Sequence, residues 1–179
     1  MHCTTCKSTT LEPREIEPGL IAAACSQCEG SLISLMNYRY WVDRYAAAST
    51  STKVDNTSAV VETEGAHTCP KCSRIMTKYQ MGANTHNKLD LCAACYEAWL
   101  DKGEWQLLKE LDLQGMLPKI FTDAWQRDIR KQKQEASLNE RYEKLLGADT
   151  FKQAHTFKQW MYRQPQRDAI KQFLMISPE

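Results

Sequence analysis

Apolar residues along this chain follow two periods, one of about two residues and one of about 3.6. Thr9-Thr10-Leu11 and Leu20-Ile21-Ala22 read as short strands flanking a turn at Glu17-Pro18-Gly19. There Pro presets φ and Gly accepts a positive φ. Large side chains then cluster from Leu32 to Tyr45, and Ser34–Ala47 reads as a helix with Tyr38, Trp41 and Tyr45 turned to the core. Ile75, Thr77, Tyr79 and Met81 alternate with Met76, Lys78 and Gln80, a strand period. Gly82-Ala83-Asn84 starts its turn, and Lys88–Leu91 returns. Asp101, with Glu104 three residues on, reads as a capping box ahead of a helix carrying Trp105, Leu108 and Leu111.

From Pro118 to Leu146 no glycine and no further proline interrupts a run of helix formers. Phe121, Trp125 and Ile129 form its apolar stripe, which fades over 131–141 and resumes at Tyr142, Leu145 and Leu146. Gly147 reads as a C-cap and Asp149 as the next N-cap. Two helices follow: about 150–163, with Phe151, Ala154, Phe157 and Met161, and one opened by Pro165, with Ile170, Phe173 and Leu174. Residues 49–66 are polar and aperiodic, a flexible linker. The expected division is therefore 1–48, 49–66 as linker, 67–114, and a helical domain over 115–179.

Composition narrows the picture. The net charge of the 179 residues is +1, which does not mark a strongly basic nucleic-acid binder. No run approaches the eighteen or so apolar residues of a membrane-spanning helix.

The cysteines carry the chemistry. There are eight, and they fall in four Cys-x-x-Cys pairs: Cys3/Cys6, Cys25/Cys28, Cys69/Cys72 and Cys92/Cys95. Residues 7–24 separate the first two pairs and 73–91 the last two, which is the spacing of a zinc ribbon. Two structural zinc ions are expected, one per set of four. Units this small bury too little apolar surface to fold unaided, so zinc binding would supply folding energy. Disulfides are the competing reading. The paired spacing, and ligands that begin at Cys3 with no room before them for a secretory leader, favour thiolates on metal in a reducing compartment, the cytoplasm. His2, His67 and His86 lie near the sites but are not needed as ligands where four cysteines are present. Thioredoxin-like redox chemistry would need a βαβ context that the chain lacks. Rubredoxin-like iron would bring a glycine-rich aromatic pattern that neither knuckle shows. His155 stands on an expected helix without an evident partner.

The two cysteine sets are copies of one unit. The second reads Cys69-Pro70-Lys71-Cys72, then Leu91-Cys92-Ala93-Ala94-Cys95, then Trp99-Leu100-Asp101-Lys102-Gly103-Glu104. Over about 69–111 this resembles the bacterial family of transcription-factor-IIB-type zinc ribbons. Glu97 departs from the pattern, which usually has Gly there. Cys28-Glu29-Gly30-Ser31-Leu32-Ile33 looks like a divergent copy, with Leu32 for Trp. The resemblance implies zinc at all eight cysteines and carries over no catalytic residue.

The expected fold is small and α+β: two four-cysteine ribbons, each a short β-hairpin with a following helix, and an α-helical C-terminal domain. The expected role is a non-enzymatic adaptor that binds protein partners. Nucleic-acid or transcription-associated binding is the alternative. It rests on Arg127, Arg130, Lys131 and Lys133, with Lys119 or Arg141, and on Lys71, Arg74, Lys78 and Lys88 beside Tyr79. Oligomeric state is left open.

Overall fold

A computed structural model describes residues 1–45 and 65–176. The chain is α+β, with one antiparallel sheet and six helices among the described residues. Each ribbon is a three-stranded meander: β1 (Glu12–Glu17), β2 (Leu20–Ala24) and β3 (Ser31–Ser34) in the first, β4 (Thr77–Gln80), β5 (Lys88–Cys92) and β6 (Glu97–Leu100) in the second. The turn at Pro18-Gly19 forms as expected, with Gly19 at φ 83°. The strand before it begins later than 9–11. Thr10 makes only an isolated bridge to His2, and Pro13 is accommodated because β1 is an edge strand.

The third strands, β3 and β6, were not legible as strands, and they join the two copies. The sheet order is β1-β2-β3-β6-β5-β4, with β3 antiparallel to β6. The register sets Leu32 opposite Trp99. Cys28 corresponds to Cys95, an offset of 67 (95 − 28), and the same offset carries Leu32 onto Trp99. Equivalent residues thus face each other, and a pseudo-two-fold axis passes between them. The sequence reading set the ribbons apart on a linker; in the structure they share one sheet. Of the linker residues 49–66, all but Gly65 and Ala66 lie outside the described residues.

Helices cover one face of this sheet. Helix α1 (Leu35–Tyr45) follows β3 directly, α2 (Glu104–Glu110) follows β6, and α3 is Leu117–Ile120. Tyr38, Trp41, Leu108, Leu117 and Ile120 pack with Leu20, Ile33, Met81, Leu89, Ala98 and Leu100 in the main core. The core reading of Tyr38 and Trp41 holds; both are buried. The Trp41 indole donates to the Pro18 carbonyl at 3.0 Å, and the Trp105 indole donates to Glu17 Oε1 at 3.0 Å, so helices from both halves grip the β1–β2 turn. The opposite face carries a second core, described below. Covered on both sides, β6 is buried along its whole length, which hid its alternation in the sequence.

Other boundaries differ from expectation. The cap of α2 is Gly103 at φ 82°, not Asp101. Half of the capping box survives: Glu104 Oε2 accepts the Asp101 N–H at 2.8 Å, while Asp101 Oδ1 is drawn away by the Trp99 indole at 2.9 Å. The helix expected from Pro118 onward breaks at Phe121–Thr122, and α4 runs Asp123–Leu146. Gln126 on α4 docks against the edge of β4: its Oε1 accepts the Gln80 N–H and its Nε2 donates to the Gln80 carbonyl. Gly147 ends α4 at φ 77°, its N–H bonded to the Glu143 carbonyl, and also precedes α5 (Ala148–Tyr162), so Asp149 lies in the first turn and not at the cap. Helix α6 is Arg167–Met175.

The chain divides into two compact units, Met1–Arg130 and Lys131–Glu179. The second comprises the remainder of α4 with α5 and α6. Within it Lys171 lies over the Tyr162 ring at 5.0 Å, and Lys144 pairs with Glu140.

Candidate metal centres

Each ribbon brings four sulfurs together. Cys3, Cys6, Cys25 and Cys28 form one group and Cys69, Cys72, Cys92 and Cys95 the other, the sulfurs of each lying within 4.8 Å of one another. Measured edges are 3.5 Å for Cys3–Cys28, 3.9 Å for Cys6–Cys25 and 3.6 Å for Cys72–Cys92. A tetrahedron of thiolates around zinc with Zn–S of about 2.3 Å has edges of about 3.8 Å. Disulfide sulfurs would stand about 2.05 Å apart. All eight cysteines are free thiols. Donor set and spacing therefore fit two structural zinc ions, one per ribbon.

The knuckles are built alike. The residue after each pair, Lys7, Glu29, Ser73 and Tyr96, adopts a positive φ of 62°, 60°, 60° and 54°. Non-glycine residues enter this region at a cost, and four recurrences show the turn is imposed by the knuckle. In three of them the same backbone bond closes the turn: Lys7 to Cys3, Glu29 to Cys25 and Ser73 to Cys69. The first cysteine of every pair is buried and the second half-buried.

The thiols differ in acidity. Backbone N–H donation from Arg74, with hydrogen bonds from neighbouring thiols, pulls Cys72 down to about 7. Burial pushes Cys25 up, but N–H groups of Cys28 and Gln27 outweigh it and bring it to about 7. Cys95 is pushed up to about 12 by its hydrogen bond with Cys72 and by burial. Burial raises Cys6, Cys28 and Cys69. Four thiolates packed this closely need a cation between them, so metal binding at neutral pH displaces protons.

The sulfurs of the two sites share the second core. Cys3, Cys25, Cys69 and Cys92 are buried with Leu11, Leu32, Met76 and Trp99 in a single cluster. Around it runs a polar network that sequence reasoning missed. His67 is 2% exposed and stands 3.0 Å from Asp90 and 3.3 Å from Thr5 Oγ1. Lys78 bonds the same Asp90 oxygen at 3.0 Å. The Thr68 N–H donates to Thr4 Oγ1 at 3.1 Å. The recurrence of a histidine before each first knuckle was the available signal, but the two do different work: His2 is exposed and His67 is buried between the ribbons. His86 is exposed, and His155 lies against Phe151 on α5. None of the four joins a cysteine group.

The cations proposed for nucleic acid are partly committed. Lys71 pairs with Glu97 and Lys78 with Asp90. Tyr79 stands edge-on to Phe121 at 5.3 Å. Arg127, Arg130 and Lys131 are exposed on α4, and Lys133 is half-buried. No described helix is long and apolar enough to cross a membrane. No family model, curated protein or solved structure matches the chain.

Proposed function

We propose that this chain is a non-enzymatic zinc scaffold of the reducing cytoplasm, an adaptor that presents its paired ribbons and its helices to protein partners. The observation that carries this reading is the donor set: each group supplies four cysteines, which fill a tetrahedron and leave no position for water or substrate. The likeness of 69–111 to transcription-factor-IIB-type ribbons favours the same kind of rigid, macromolecule-facing module. Ile75 at 74% and Tyr96 at 61% exposure stand beside the two knuckles of the second ribbon and are the apolar groups best placed for a partner.

Nucleic-acid binding is the second reading, favoured by Arg127, Arg130 and Lys131 on α4. The ion pairs of Lys71 and Lys78 and the packing of Tyr79 on Phe121 weaken it at the second ribbon. A tagged pull-down with and without nuclease separates the two. Under the adaptor reading, partners survive nuclease and are lost in Ile75→Glu/Tyr96→Glu. Partners lost on nuclease treatment, in Arg130→Glu/Lys131→Glu and steeply with added salt would establish the second reading instead.

A further inference from the structure

We infer that the two zinc sites are coupled, loading and emptying as one unit through contacts made by the Cys3–Cys6 knuckle on the ligand segments of the other site. The inference rests on the zinc reading above and adds to it a dependence of each site on the other.

The knuckle between Cys3 and Cys6 contains Thr4 and Thr5, and both reach the second ribbon. Thr4 Oγ1 accepts the Thr68 N–H at 3.1 Å, one residue before Cys69. Thr5 Oγ1 meets His67 Nε2 at 3.3 Å, two residues before Cys69. The other His67 nitrogen meets Asp90 Oδ2 at 3.0 Å, two residues before Cys92. One knuckle of the first site thus braces both ligand segments of the second. The imidazole and the Asp90 carboxylate are buried, so the pair holds its place through the few partners it has, Thr5 among them. Beneath these bonds, the buried sulfurs of both sites lie in one apolar cluster with Leu32 and Trp99, and β3 is paired to β6.

An ion holds its knuckle in place, because metal binding and local folding are the same event in units of this size. Loss of zinc from the first site frees Thr4 and Thr5 and withdraws the brace from the second. Linkage makes the effect reciprocal. A coupling of roughly tenfold in affinity, well inside the usual range, follows from losing two part-buried hydrogen bonds of this kind.

The test uses the full chain loaded with zinc and titrated with a chelator. Native mass spectrometry counts the ions, and amide NMR signals of residues 67–100 report the second site separately. The wild-type chain should lose both ions in one step. Cys6→Ser should bind one ion, at the second site, roughly tenfold more weakly than the wild type does. Because Cys6→Ser can disrupt the whole sheet, Thr4→Ala/Thr5→Val is the deciding variant. It keeps all eight cysteines, should still bind two ions, and should lose them in two steps. Two-step loss in the wild type, or identical profiles for wild type and double variant, would overturn the coupling. A wild-type chain that binds no zinc would overturn the metal reading itself, so the two failures are distinct.

Discussion

The indole of Trp99 fills the space in which a side chain on Gly30 would begin: a Cβ built there would lie 2.4 Å from the Trp99 ring. These residues belong to different ribbons, and the β3–β6 register brings them together. The offset that relates the copies carries Gly30 onto Glu97 and Leu32 onto Trp99. The pairing is therefore asymmetric: the large Trp99 meets a glycine, and the position equivalent to that glycine in the second ribbon holds Glu97, whose carboxylate pairs with Lys71 at 2.9 Å.

Gly30→Ala should accordingly destabilise the paired-ribbon unit. The ring is fully buried and the clash is with its rigid edge, so overpacking of roughly 1–3 kcal/mol is expected. Trp99→Leu restores at position 99 the residue found at 32 and should recover part of the loss in the double variant. Urea unfolding at saturating zinc would measure the cycle. Strictly additive effects would show that the two residues do not meet.

Glu104 carries a linkage to pH. Burial, reinforced by the nearby charges of Asp101 and Asp90, pushes its carboxyl up to about 8, against an ordinary 4.5. The Asp101 N–H and Lys78 offset this only in part. The folded state therefore holds the proton more tightly than the unfolded chain between about 4.5 and about 8. Stability falls as pH rises through that window, by roughly 1 kcal/mol per unit, and levels off above it. Glu104→Gln keeps an oxygen for the Asp101 N–H and cannot ionise, so its stability should hold between about pH 6.5 and about pH 8.5 while the wild type declines. Parallel curves for the two proteins would refute the assignment.

Tyr38 is a structural joint and not a docking aromatic. Its hydroxyl donates to the Gln114 carbonyl at 2.7 Å and accepts the Leu117 N–H at 3.2 Å, tying α1 to the loop that leads into α3. Burial pushes the phenol up to about 12. Tyr38→Phe removes one atom and strands two backbone groups, at a cost of roughly 1–3 kcal/mol. Chemical denaturation should show the loss with zinc stoichiometry unchanged. A zinc loss in this variant would contradict the separation between the helical core and the metal core.

Both metal centres were legible along the chain, because a Cys-x-x-Cys knuckle is a local structure: two ligands two residues apart, closed by one turn. The pairing of knuckles followed from the lengths between them, and the α+β class from the two periods. The Pro18-Gly19 turn and the C-terminal helices are likewise decided within a few residues. What local pattern could not decide was what happens across the pseudo-two-fold axis. Strands β3 and β6 are four residues each and buried on both faces, so neither shows the alternation by which a strand is recognised. Their pairing depends on side-chain volumes far apart in sequence, Gly30 against Trp99. The same holds for His67: its place before Cys69 was plain, but its burial against Thr5 and Asp90 exists only once the ribbons have joined. Asp101 satisfied the rule for a helix cap, and the tertiary structure overrode it by offering the Trp99 indole as a buried donor.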